Sequence, residues 1–318
     1  VLVTRFGAEP ALVEVADPVC PDDGVVVRVE ATGLCRSDWH GWIGHDDSIA
    51  LPHVPGHELA GTVAQVGPDV RGWRVGDRVT TPFVLACGRC GPCARGDGQV
   101  CEQQLQPGFT LWGSFAELVA LPRADVNLVR IPDGVDADVA AGLGCRVATA
   151  YRAVAHVARV EVGETVVVHG CGGVGLSAIA VARARGAEVV GIDPSPASRA
   201  LAERLGATAL DPAEGPAVVG ADVSIDAFGS AATLAASIAC LRPRGRHVQV
   251  GLLGGADAWP AVDMGRVVGQ ELQLLGSHGM AASDYPELLG LVADGSLRPE
   301  LLLRDRIGLA AAPARLAA

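Results

Sequence analysis

Four cysteines fall within fifteen residues, Cys87, Cys90, Cys93 and Cys101, in the spacing C-x2-C-x2-C-x7-C. On a loop bent by Gly88, Gly91 and Pro92, four thiolates can close a tetrahedron around Zn²⁺. Such a site has no open position for substrate. Its role is to fold a lobe with little apolar content of its own. Cysteines at two-residue spacing suit bridges within one loop poorly, so disulfides are the weaker reading. Thiols used this way point to a reducing compartment, taken as cytoplasmic. A second group is Gly33-Leu34-Cys35-Arg36-Ser37-Asp38-Trp39-His40, which packs a thiol, a hydroxyl, a carboxylate and an imidazole into six positions. Gly56-His57-Glu58 follows it, and Cys145 stands 25 residues before Gly170. Taken singly, each of these residues suits a core or a surface as well as a reaction.

A third group has the pattern of a nucleotide-binding turn. Val166 to His169 reads as a strand running into Gly170-Cys171-Gly172-Gly173-Val174-Gly175, a G-x-G-x-x-G pattern, and Asp193 ends the next strand 18 residues beyond Gly175. Gly170 allows the tight turn, Gly172 the approach of a pyrophosphate to a helix N-terminus, and Gly175 close packing of helix on strand. Asp193 can accept from both ribose hydroxyls and repels a 2′-phosphate, which favours NAD over NADP. Arg199, six residues further on, either caps a solvated helix face or reaches the adenosine phosphate.

These groups need elements to carry them. In 318 residues, 49% hydrophobic and 19% charged, there is material for two cored domains. Residues 1–146 read as β-rich, with strands at Val25–Val29 and Gly61–Gly67 and Pro/Gly punctuation suited to a barrel-like all-β domain. From residue 147 to about 280, short apolar runs alternate with alanine-rich helices. Strands are expected at Thr165–His169, Glu188–Ile192, Asp222–Ala227 and His247–Gly251, and helices at Gly175–Arg185 and Ser195–Leu205. That alternation implies a doubly wound parallel sheet, so the fold class is α/β plus β. Residues 281–318 form a last segment, with a helix over Tyr285–Asp294. The formal charge is -11, every one of the 25 basic residues is arginine, and no basic cluster occurs; nucleic acid is not an expected partner. The uncharged stretch Val166–Ala182 carries four glycines and His169, so no membrane span is expected. The opening Val1–Phe6 reads as strand and lacks the basic-then-apolar order of a signal peptide.

Together the G-x-C-x-S-D-x-H and G-H-E segments, the four-cysteine lobe and the dinucleotide fingerprint resemble the medium-chain, zinc-dependent alcohol dehydrogenase family, over almost the whole chain and in the family's order. The resemblance implies a GroES-like catalytic domain (1–146), a Rossmann NAD-binding domain (147–280) and a return of 281–318 to the first. It implies two zinc ions per chain. Cys35, His57 and Cys145 would hold the catalytic one, and Cys87, Cys90, Cys93 and Cys101 the structural one. Zinc would acidify a bound alcohol, so that the resulting alkoxide passes a hydride to NAD. Ser37 and His40 resemble the family's proton relay. Asp38 would orient His57. Glu58 would lie behind the zinc or bind it transiently, the former being preferred. Arg36 resembles a pyrophosphate contact and Thr149 a residue packed on the nicotinamide.

Phe83 resembles a pocket-lining aromatic, and Trp39, Phe109 and Trp112 either narrow the same pocket or pack in the core. An apolar pocket favours primary or small aromatic alcohols, oxidised to aldehyde or ketone. A zinc-dependent polyol or sugar dehydrogenase is the alternative, and a catalytically silent NAD-binding redox sensor a third reading. The set Cys35, Ser37, His40, His57 and Cys145 argues against the third. Relatives imply a homodimer or homotetramer. Cys20, Cys171 and Cys240, like His45, His53, His156, His169, His247 and His278, receive no role.

Overall fold

The computed structural model describes residues 1–213 and 218–318. It divides into two units: Val1–Ala148 with Gly279–Asp294 and Leu303–Ala318, and Thr149–His278 with Gly295–Leu302. Within the last segment of the chain, Gly295–Leu302 therefore groups with the second unit and its flanks with the first.

The first unit is built on valine-rich strands. β1 (Val25–Gly33), β2 (Glu58–Val66), β3 (Arg78–Thr80), β4 (Leu118–Leu121) and β5 (Val129–Arg130) form one sheet in the order β4-β1-β2-β3-β5. Every neighbouring pair is antiparallel. Val25, Val26 and Val27 are all fully buried, so β1 is covered on both faces there. Val25, Val27, Leu59, Val63, Val79, Leu85, Val119 and Leu121 make the core. Val1–Phe6, read above as strand, makes only isolated bridges, Leu2 with Ala11 and Val3 with His53.

The β1–β2 register fixes the site. Gly33 lies opposite Glu58, so the chain leaving β1 and the chain entering β2 meet at one end of the sheet. After Gly33 the chain turns into the helix Arg36–Trp42, with Cys35 as its N-cap. Glycine is required at 33 because an added Cβ would sit 2.0 Å from Glu58 Oε2.

The second unit is a six-stranded, wholly parallel sheet: β6 (Thr165–His169), β7 (Glu188–Ile192), β8 (Thr208–Leu210), β9 (Ala221–Asp226), β10 (Leu241–Gln249) and β11 (Gln273–Gly276), ordered β11-β10-β9-β6-β7-β8. The chain runs outward from β6 to β8, then returns to the other side of β6 and runs outward again. This is a Rossmann arrangement, with its order reversal beside β6. The helices Gly173–Ala184, Pro196–Arg204 and Ala231–Ala239 pack against the sheet. Ser195 and Ser230 cap the second and third of these, satisfying exposed N–H groups of the first turn. β10 begins six residues earlier than the apolar run at His247 suggests. Among the described residues no helix is long and apolar enough to cross a membrane.

Candidate active site

Asp38 organises the first cluster. It sits in the first turn of Arg36–Trp42 and is buried. Its Oδ2 accepts from the Cys35 N–H at 2.8 Å, and its Oδ1 accepts from the Gly56 N–H at 3.1 Å and from His57 Nδ1 at 3.0 Å. Gly56 has φ +104, and a side chain there would strike Ser114 and Phe115; the turn before His57 needs glycine. A carboxylate only accepts, so Nδ1 donates to Asp38 and Nε2 is the nitrogen left to bind a metal. That Nε2 is buried and has no hydrogen-bond partner among the described residues.

Around it stand the Cys35 and Cys145 sulfurs and the Glu58 carboxylate, with ligand atoms all within 4.8 Å of one another. Two thiols and an unpartnered imidazole nitrogen suit Zn²⁺, and a carboxylate behind the histidine is the expected support. The residues fit the metal. Hydrogen bonding from Cys145 holds the Cys35 thiol well below its ordinary range, with His57 and Arg146 adding to it, while the same bond and burial raise Cys145. Burial works against the His57 imidazolium, but Asp38 and the Cys35 sulfur outweigh it and raise that pKa.

Cys145 is delivered by a widened π turn, Leu143–Val147, that follows the helix Ala137–Gly142. Such turns leave carbonyls unpaired in the helix. Here the Leu143 carbonyl accepts from Tyr285 Oη at 3.1 Å and the Gly144 carbonyl from the Phe83 N–H at 3.0 Å. Arg146, the next residue, grips Glu58: its N–H and Nε reach Oε1 at 3.1 and 2.9 Å, and Nη2 contacts both Oε2 and the Leu34 carbonyl. Burial pushes the Glu58 carboxyl up and Arg146 pulls it back down, while the Glu58 charge raises Arg146. Three bonds from one arginine turn the Glu58 carboxylate to the guanidinium, while one of its oxygens stays within 4.8 Å of the other ligand atoms. Sequence reasoning missed Arg146. Its signal was a single charge in the otherwise uncharged run Val139–Tyr151.

Ser37 Oγ lies 3.9 Å from Cys35 Sγ. His40 is exposed, and its Nδ1 is 3.1 Å from Nδ1 of His45, the two rings stacked at 5.3 Å. Burial, Arg36 and His45 together lower the His40 pKa. His45, given no role from sequence, is thus part of the His40 surroundings. Of the four aromatics, Phe109 and Phe83 pack against the His57 ring at 5.2 and 6.3 Å. Trp39 packs with Val1, Val54 and Phe115 and carries the Arg36 guanidinium over its face at 3.8 Å. Trp112 is exposed and donates to the Pro52 carbonyl.

The knuckle also closes. Cys90 Sγ is 3.4 Å from Cys93 Sγ and 3.7 Å from Cys101 Sγ, and Cys87 Sγ is 4.0 Å from Cys93 Sγ. These are far beyond a disulfide bond and close to the edge of about 3.8 Å that a tetrahedron with ~2.3 Å Zn–S bonds requires. All nine cysteines are free thiols. N–H groups of Cys87 and Gln103 donate to Cys101 Sγ. Asn127 staples the approach, its side chain bonding both the N–H and the carbonyl of Ala86.

In the second unit the glycines divide the work. Gly170 has φ +87, and a Cβ at Gly175 would lie 1.7 Å from the Gly170 carbonyl oxygen. Gly172 caps the helix Gly173–Ala184 and faces open space, with nothing within 4 Å of a Cβ placed there. Gly173 and Val174 form the first turn. That bare helix N-terminus fits a pyrophosphate. Asp193 accepts from the Cys171 N–H at 2.7 Å and the Ser195 N–H at 2.8 Å, tying the loop to the end of β7. Cys171 is fully buried, and burial pushes its thiol up to about 12. Thr149 is buried at the start of this unit. Arg199 Nη1 bonds Asp211 and the carbonyls of Asp193 and Pro194.

Comparison with known proteins agrees with this geometry. Residues 21–133 match the alcohol dehydrogenase GroES-like domain and residues 173–294 the zinc-binding dehydrogenase family. The chain is similar to an alcohol dehydrogenase of Geobacillus stearothermophilus, 32% identical over 93% of this chain and 89% of that protein. It is 30% identical to the D-arabitol-phosphate dehydrogenase of Enterococcus avium over 94% of this chain and 87% of that one. Among solved structures, the alcohol dehydrogenase TADH from Thermus sp. ATN1 superposes with a TM-score of 0.92 at 30% identity, covering 99% of this chain and 94% of that one. A zinc-binding dehydrogenase from Sinorhizobium meliloti bound to NADP superposes with a TM-score of 0.91 at 30% identity, covering 100% and 94%.

Proposed function

The chain belongs to the zinc-binding, medium-chain alcohol dehydrogenase family, and from that membership we propose that it oxidises an alcohol to an aldehyde or ketone, and reverses that reaction, with NAD as hydride acceptor. The observation that carries the reading is the buried His57 Nε2, without a hydrogen-bond partner among the described residues and within 4.8 Å of the Cys35 and Cys145 sulfurs. When bound, zinc supplies Lewis acidity toward an alcohol oxygen and NAD the ring that accepts hydride.

The chain's own residues do the rest. Cys35 and Cys145 hold the metal as thiolates and His57 as the Nε2 donor, with Asp38 fixing its tautomer. Arg146 keeps Glu58 behind the site. Ser37 takes up the alcohol proton, and His40 receives it on the way to solvent. The lowered His40 pKa serves this role, since a base must be neutral before it can accept. Phe83 and Phe109 cover the His57 ring and exclude water beside it. Cys87, Cys90, Cys93 and Cys101 hold a second, structural zinc.

NAD is preferred to NADP on the Asp193 carboxylate and on an Arg199 already engaged by Asp211. Arg36 and Thr149 are assigned to the pyrophosphate and nicotinamide. Two copies would pair through the second unit, where β11 is a sheet edge and Leu274 and Val268 are exposed. Free thiols throughout suit a reducing, cytoplasmic setting.

A polyol or sugar alcohol is the second reading, favoured by the D-arabitol-phosphate dehydrogenase among the relatives. The aromatic cover of His57 favours the first. The test is NADH formation across primary, aromatic and polyol alcohols. Rates highest on the apolar alcohols are expected. Rates highest on polyols would replace the first reading with the second, and a zinc-loaded protein inert toward both would return the silent NAD-binding reading.

A further inference from the structure

β7 and β8 deliver two carboxylates side by side. Ile192 pairs with Leu210, and the N–H of Asp193 donates to the Leu210 carbonyl at 3.1 Å. Asp193 and Asp211 therefore follow neighbouring strands at the sheet end where a dinucleotide's adenosine ribose is read. One cation joins them. Arg199, in the first turns of the helix Pro196–Arg204, folds back so that Nη1 is 2.7 Å from Asp211 Oδ2, 2.8 Å from the Asp193 carbonyl and 2.9 Å from the Pro194 carbonyl. The other Asp211 oxygen accepts from the Ala213 N–H at 2.9 Å, which fixes the carboxylate in turn. The Arg199 and Asp211 side chains are 19% and 17% exposed, so the pair is more sheltered than an ordinary surface ion pair.

We propose that Asp211 sets cofactor selectivity by holding Arg199. The salt bridge keeps the guanidinium folded against the turn that follows β7 and withholds it from a 2′-phosphate. Across the three side chains one negative charge remains, and it belongs to Asp193. The Asp193 oxygens accept from Cys171 and Ser195 and retain capacity for the ribose hydroxyls. A 2′-phosphate, with a charge near -2, meets that carboxylate with no cation released to it. Asp211 is thus a selectivity residue that acts through Arg199. This inference rests on the NAD reading given above.

The test is a set of dissociation constants for NADH and NADPH, read by nucleotide fluorescence on the zinc-replete protein, for wild type, Asp211→Asn, Asp211→Glu, Arg199→Gln and the Asp211→Asn/Arg199→Gln double variant. Asp211→Asn should tighten NADPH about tenfold, the scale of one charge-assisted hydrogen bond gained, while NADH changes by less than about twofold. Asp211→Glu, which keeps the charge, should hold the wild-type ratio. In the Arg199→Gln background the Asp211→Asn gain should vanish. An equal gain without Arg199 would overturn the clamp in favour of simple loss of negative charge, and no gain at all would overturn it outright. Wild-type protein that binds NADPH more tightly than NADH would instead overturn the NAD reading, and the Asp211→Asn shift would still decide the clamp.

Discussion

Arg146 and Glu58 carry the sharpest consequence at the scale of single residues. Glu58 is fully buried and meets Arg146 through Nε, Nη2 and the backbone N–H. Removing one partner of such a pair leaves a desolvated charge, at a cost of about 3–5 kcal/mol. Arg146→Gln should therefore lower unfolding stability by that amount in denaturant titration, and Arg146→Gln with Glu58→Gln by clearly less. Equal losses would mean that the pair is not charged. The two candidate metal clusters were legible as residue types in a known order, because a metal demands particular donors. Arg146 was not, since its partner lies 88 positions away and nothing in local spacing reports it. His45 escaped for a related reason: its meaning is the stacked contact with His40, which depends on how the chain turns after Trp42.

At the scale of elements, the glycine-rich turn separates an open position from a packed one, and the proposed cofactor site from the fold. A methyl at Gly172 points into open space, whereas one at Gly175 collides with the Gly170 carbonyl. Gly172→Ala should melt within a few degrees of wild type yet weaken NADH binding. Gly175→Ala should lose stability and binding together, as overpacking costs about 1–3 kcal/mol or more. Matched melting and titration curves check this; equal damage from the two would contradict the division. The strand–helix alternation from β6 to the helix Pro196–Arg204 was readable because apolar runs and caps agree there. β10 was not readable along its length. Pro243 and Gly245 signal a turn, and the ladder with β9 is indeed irregular between Leu241 and Arg246, so proline sits where no regular pairing is interrupted. The order of the sheet follows from packing, which no single segment encodes.

At the scale of the whole molecule, buried histidines such as His169 contribute to the response to acid. Burial pushes His169 down to about 4 against an ordinary value near 6.5. Between those values the unfolded chain binds the proton and the folded one does not, so stability rises with pH across that window and is lost as pH falls. The shift is worth about 3 kcal/mol. Burial lowers His247 as well. Asp77, held at about 2 by Arg130, adds a further loss once pH drops below about 4. Denaturation midpoints should thus fall between pH 6.5 and 4, and His169→Asn should flatten that slope. The proposed function gives the first unit two metal sites of different purpose, one at Cys35, His57 and Cys145 and one at the four-cysteine loop. The most direct measurement is the zinc-to-chain ratio of wild type and Cys145→Ser, taken with alcohol-dependent NADH formation on the same samples. Two zinc ions in the wild type, one in a folded variant and a rate at least about a thousandfold lower are predicted, the scale of a lost catalytic metal contact. A variant that keeps both ions, or keeps its rate with one, would contradict the account.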